Sequence, residues 1–199
     1  MVKADCGGCN GCSRCCHGMG NSIILDPYDV YRMTTGMGKS MQELLAASVE
    51  LNVVDGVILP NLKMQGTKEA CAYLDEEGRC SIHPYRPGIC RLFPLGRYYE
   101  NGGFSYFLQT GECAKENRSK IKVSKWIDTP DLTRNQQFTL QWHDLLHAME
   151  ERLTGEDEGK QREENLLLLR LFYLLPYKGT TDFYSQFMER MEYWNEQIR

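Results

Sequence analysis

Apolar residues recur at helical spacing through the second half of the chain and at shorter, turn-bounded intervals in the first. Phe138, Trp142, Leu145, Leu146, Met149 and Leu153 fall on one face at steps of three and four. That spacing predicts an amphipathic helix opened by Asp131 and reaching Leu153. Thr154 to Lys160 is polar and acidic and reads as a loop. Gln161 to Leu175 is apolar nearly all round, which predicts a central helix, and Pro176 stops it. Thr181 or Asp182 caps a last helix, with Phe183, Phe187, Met191, Trp194 and Ile198 as its stripe.

The first half is built from shorter units. Asp26-Pro27 places a capping residue before a proline at the first helical position, so a helix is expected to about Thr34, ended by Gly36 and Gly38. Ser40-Met-Gln-Glu43 is a capping box for a second helix to about Glu50. β-Branched residues around Asp55-Gly56, between Val53 and Met64, predict a hairpin. Arg97 to Gln109 predicts another around Asn101-Gly102-Gly103. Its alternating Tyr98, Tyr99, Phe104, Tyr106 and Phe107 are expected to form a sheet core that shields a metal from water. Cys71 to Gly96 is dense in Pro, Gly and Cys, and irregular backbone ordered by metal is expected there. Pro87 and Pro94 stiffen it.

Composition narrows the function. Hydrophobic residues make up 42% of the 199, enough for a core to form without metal in at least part of the chain. The net charge is −4 and Lys and Arg form no long block, so no nucleic-acid partner is expected. The first ten residues lack an apolar signal-peptide core. The longest greasy run, Leu166 to Leu175, is too short to span a bilayer and contains Arg170. These features predict a cytoplasmic protein with no membrane partner. No Walker loop, dinucleotide glycine motif or nucleophile motif is present.

Cysteine usage changes the picture most. All nine cysteines lie between Cys6 and Cys113. This divides the chain into a cysteine-cluster domain, residues 1–120, and a helical extension packed on it, residues 121–199. The odd count sits poorly with a disulfide framework. Cys6, Cys9, Cys12 and Cys15 repeat a three-residue spacing that lets one loop wrap a metal centre, similar to the bacterial ferredoxin pattern, and Cys16 follows directly. In an extended chain Cys15 and Cys16 would point to opposite faces and serve different centres. Cys71, Cys80, Cys90 and Cys113 supply further thiols at wide spacings. The expectation is that both sets meet around one or two [4Fe–4S] clusters. Zn2+ is the alternative, since two zinc ions would also use eight thiolates.

Other residues are weighed beside these. Arg86 and Arg91 flank Cys90 and either bind or tune a cofactor or pair with carboxylates such as Asp75 or Asp26. His17 and His83 adjoin cysteines and are expected behind the ligands or facing solvent. His143, His147 and Glu151 have metal-capable helical spacing but read as a solvated flank. Asp26, Tyr28 and Asp29 could face the cluster, although capping accounts for Asp26.

Cys9-x-x-Cys12-x-x-Cys15-Cys16 resembles the signature of the CxxCxxCC, or YkgJ-type, cysteine-cluster family. Ile24 to Val30 resembles the segment after its cluster. Cys71 to Asp75, Gly78 to Ile82 and Tyr85 to Pro94 resemble its second block, and Cys113 its last cysteine. The resemblance covers about residues 6–115; Cys6 is an addition to its core signature, and the helical tail has no counterpart. It implies a zinc- or iron-chelating module, one also similar to that of flagellin lysine N-methylases. The expected fold is α+β: a small, irregular cysteine-rich domain with short hairpins and an α-helical C-terminal extension. The expected function is iron–sulfur binding with electron transfer or redox chemistry on a partner protein or small molecule. A zinc-stabilised interaction module and a side-chain-modifying enzyme are the alternatives.

Overall fold

A computed structural model describes residues 1–5, 12–113, 115 and 117–198. Its elements in chain order are β1 (Val2–Asp5), α1 (Pro27–Met37), α2 (Met41–Ala47), β2 (Val49–Val54), β3 (Val57–Leu62), β4 (Met64–Gln65) and β5 (Ala70–Cys71). There follow α3 (Gly88–Leu92), β6 (Leu95–Glu100), β7 (Gly103–Leu108), β8 (Ser119–Ile121), α4 (Val123–Ile127), α5 (Leu132–Leu153), α6 (Glu158–Leu169) and α7 (Phe183–Gln197). The fold is α+β with a helical C-terminal region. Its strands pair as antiparallel two-stranded ladders: β1 with β8, β2 with β3, β4 with β5, and β6 with β7.

Local chemistry accounts for the main boundaries. Asp26 accepts the Asp29 N–H at 2.8 Å and the Asp29 side chain accepts the Asp26 N–H at 3.3 Å, a reciprocal cap on α1. The helix runs past Gly36 and ends at Gly38 in the left-handed region. Gly36 stays inside because the Tyr85 ring lies where its Cβ would be. The Ser40 capping box opens α2, but Val49 already belongs to β2, so this helix stops earlier than its pattern suggests. Asp55 and Gly56, both at positive φ, turn β2 into β3 with Val54 opposite Val57. Asn101 and Gly102 do the same between β6 and β7.

One core joins the two halves of the chain. Tyr28, Val30 and Met33 of α1, Leu44 of α2 and Leu59 and Leu62 of β3 bury against Phe138, Trp142, Leu168, Phe172, Phe187 and Trp194. The central helix differs from expectation. It begins at Glu158, and Arg170–Leu174 forms a π-type turn in which the Leu175 N–H reaches the Arg170 carbonyl at 2.9 Å. Arg190 of α7, itself buried, donates to the carbonyls of Leu171, Leu175 and Pro176 at 2.8 to 3.0 Å. It thereby satisfies backbone acceptors that the irregular turn leaves open.

Asn165 ties the extension to the first hairpin. Its Oδ1 accepts the Ile58 N–H at 2.6 Å, and its Nδ2 donates to the Gly56 carbonyl at 3.2 Å and the Gln161 carbonyl at 2.9 Å. A smaller core of Leu92, Leu95 and Ile127, flanked by Trp126, lies beyond α3. Among the described residues, no helix is long and apolar enough to cross a membrane.

Candidate metal centre

The cysteines are carried by elements too short to be stable alone, so neighbouring bonds position them. Cys15 and Cys16 sit in a 3₁₀ turn, Arg14–Cys16, closed by the Cys16 N–H to the Ser13 carbonyl at 2.8 Å. That turn corrects the extended-chain expectation for the pair. The two thiols hydrogen-bond to one another, so the Cys16 thiol lowers the Cys15 pKa to about 7, while Cys16 itself is raised. Cys71 ends β5, where Met64 pairs with it across the ladder. Cys80 is held by a bridge to Leu74 and by a turn in which the Asp75 N–H reaches the Arg79 carbonyl at 2.9 Å. Tyr73 braces this stretch through its hydroxyl, 2.5 Å from the buried Ser48 Oγ. Cys90 lies in the middle of α3.

Cys15, Cys16, Cys71, Cys80 and Cys90 gather from four separate stretches. Burial pushes the Cys71, Cys80 and Cys90 thiols up, and their neighbours' negative charge adds to the shift: Cys80 and Cys15 act on Cys71, Cys15 acts on Cys80, and Cys71, Cys15 and Cys80 act on Cys90. Cys71, Cys80 and Cys90 also pack against the main core. Deprotonating such a set without a cation would stack like charges in a poorly solvated place. A soft cation relieves that cost, so the donor chemistry fits a thiophilic metal. Arg86 adds positive charge, favouring the thiolate at Cys15 and Cys80.

Cys12 and Cys113 adjoin this set at Cys15. They line a small cavity of about 30 Å³ with Cys15, Arg14, Phe93, Pro94, Glu112 and Trp126. Trp126 donates to the carbonyls of Leu92 and Phe93 at 3.2 Å, fixing this wall to the end of α3. Cys6 and Cys9 lie outside the described residues. Cys12, Cys15, Cys16, Cys71, Cys80, Cys90 and Cys113 are all free thiols. Among the described residues, no three His, Cys, Asp or Glu side chains form a tight ion-binding group.

The arginines part company. Arg91 is buried and faces Asp29 at 3.9 Å, rather than Asp75 or Asp26, and its Nη1 donates to the Arg86 carbonyl at 3.2 Å. Arg86 keeps its head near the thiols and contacts His83 Nε2 at 2.5 Å. His17 lies 3.5 Å from Ser13 Oγ and 3.4 Å from the Lys68 carbonyl. His143 stacks on Tyr99 with ring centroids 3.8 Å apart, and His147 lies 3.5 Å from Glu151. The aromatic hairpin is not a closed sheet core: Tyr98 is 60% exposed and Phe107 47% exposed, and among the described residues β6 and β7 pair with each other alone.

Asp29, which the sequence offered as a residue that could face the cluster, instead reaches the start of the Cys90 helix. Its Oδ1 accepts the Gly88 N–H at 2.7 Å, linking α1 to the first residue of the Cys90 helix across 59 positions. The capping pattern marks Asp26 and carries no sign of this bond to Asp29. Asp26 answers to the same surroundings. Burial, then the Asp29 charge, lifts its carboxyl to about 7. Burial raises Asp29 as well, against the pull of Arg91 and of two backbone N–H donors.

Half-buried free thiols from several stretches, with a guanidinium beside them, are donors suited to a metal-binding protein. A family model for CxxCxxCC, described as "Putative zinc- or iron-chelating domain", matches residues 8–139, and the chain belongs to that family. No curated protein and no solved structure matches it.

Proposed function

We propose that the chain binds an iron–sulfur cluster and serves electron transfer or redox chemistry with a partner protein or a small molecule. What supports this reading is that Cys15, Cys16, Cys71, Cys80 and Cys90, from four stretches, lie within one another's electrostatic reach, with Cys71, Cys80 and Cys90 against the main core. Nine cysteines, four of them in a ferredoxin-like repeat, exceed the need of one zinc ion. When bound, a [4Fe–4S] group supplies a one-electron couple. The chain's own residues do the rest. The thiols provide ligands, Arg86 offsets their negative charge, and the apolar side of the core keeps water from Cys90. Cys12 and Cys113, with Cys6 and Cys9, are the candidates for a second centre.

A groove of about 780 Å³ runs between α5 and α7 beside Arg134, Tyr184 and Met188, and no cysteine lines it.

The test is anaerobic purification followed by iron, acid-labile sulfide and zinc analysis with visible absorption. Iron and sulfide in equal amounts, with a broad absorption in the blue, support the proposal. A colourless protein with stoichiometric zinc replaces it with a zinc-stabilised module. Cys90→Ser should lose both metal and solubility; full metal content in that variant removes Cys90 from the ligand set.

A further inference from the structure

We propose that Asp29 is a positioning residue for this centre: it anchors the helix that carries Cys90 and stands a fixed negative charge beside that thiol. The inference rests on the iron–sulfur reading above. α3 is five residues long, and Pro87 before it has no polar side chain with which to cap it. The Gly88 N–H would be left without a partner at the start of this helix. Asp29 supplies the acceptor from α1, at 2.7 Å. On the other side Arg91, one residue after Cys90, faces the same carboxyl, with both side chains at most 5% exposed. Cys90 is therefore bracketed: Asp29 holds the residue two before it and engages the residue one after it.

The carboxyl also carries charge. Burial raises this carboxyl, but its Oδ1 and Oδ2 each accept a backbone N–H and a guanidinium lies opposite, and these three neighbours pull toward the ionised form. Asp26, its half-buried neighbour, accepts one backbone N–H, from Asp29, and burial and the Asp29 charge raise its carboxyl. Asp29 lies close enough for its field to act on the Cys90 sulfur. Asp29 is buried and Cys90 half-buried, so salt and water screen that field only in part. A fixed negative charge beside a ligand sulfur disfavours the addition of an electron to the group that sulfur holds.

The two roles separate by substitution. Asp29→Asn keeps an oxygen for the Gly88 N–H and removes the charge; Asp29→Ala removes both. In anaerobically purified protein, Asp29→Asn should keep its iron and the protection of the Gly88 amide from hydrogen exchange, while its midpoint potential in a dithionite titration moves upward. Asp29→Ala should lose that protection and bind iron about 10–100-fold more weakly. An unchanged midpoint in Asp29→Asn overturns the charge role, and undiminished Gly88 protection in Asp29→Ala overturns the anchor. If Asp29→Ala does not fold, Asp29→Asn carries the test, and loss of its Gly88 protection counts against the anchor. If the wild type holds zinc and no iron, the functional reading fails, and chelator competition for zinc by the two variants decides the positioning role.

Discussion

Asp26→Asn should stabilise the protein, and more so as the pH rises. The carboxyl lies at the start of α1 with its pKa lifted from 3.8 to about 7 by burial and by the neighbouring Asp29 charge. A carboxyl raised in the folded state binds more protons folded than unfolded, so its contribution falls as pH rises from 3.8 to about 7 and stays low above that. Three pH units at about 1.36 kcal/mol each would set the full penalty near ~4 kcal/mol. Asp26 keeps some exposure and shares its field with Asp29, so about half, ~2 kcal/mol, is the expected gain at pH 8.5, and about 1 kcal/mol at pH 5. Asparagine still accepts the Asp29 N–H, so the cap itself survives. For a chain of this size the gain corresponds to a rise in Tm of roughly 4–8 °C at pH 8.5 and about half that at pH 5. Thermal denaturation of variant and wild type, side by side at both pH values, measures it. A variant less stable at both, or a difference that does not change with pH, refutes the reasoning.

Asn165→Leu should lower stability by about 2–3 kcal/mol, because the Ile58 N–H loses its 2.6 Å acceptor and two further hydrogen bonds go with it. Urea denaturation reads this directly, and an unshifted midpoint would show that the hairpin and α6 do not depend on the tie. Arg190→Met should cost about 3 kcal/mol through three carbonyls left without their charged donor. It should also raise amide exchange through the 170–176 turn, and native exchange rates there would contradict the role given to Arg190.

Much of the fold was legible because its signals are local. Asp55-Gly56 and Asn101-Gly102 name their own turns, Asp26 and Ser40 their own caps, and the stripe through Phe138, Trp142 and Met149 its own buried face. The misses share one physical origin, a distant partner overriding a local preference. Gly36 reads as a helix end until the Tyr85 ring is seen against it. Val49 leaves α2 because Leu62 pairs with it in the ladder. The π-type turn after Leu169 is supported by Arg190, twenty positions on, and no periodicity encodes that. At the site, the nine cysteines identified the chemistry, and their spacing suggested that separated sets meet. It could not reveal that Cys15 and Cys16 share one turn, that Cys113 and Cys12 line one cavity with Cys15, or that Arg91 looks to Asp29.

Cys71, Cys80 and Cys90 belong to two structures at once, since the side chains that gather as thiols also line the flank of the main core. A cell short of metal would therefore hold a chain with a weakened interior, and proteases act on whatever fraction opens. The amount of this protein that survives should rise and fall with metal supply, making its abundance a gauge of metal status in the cell that makes it.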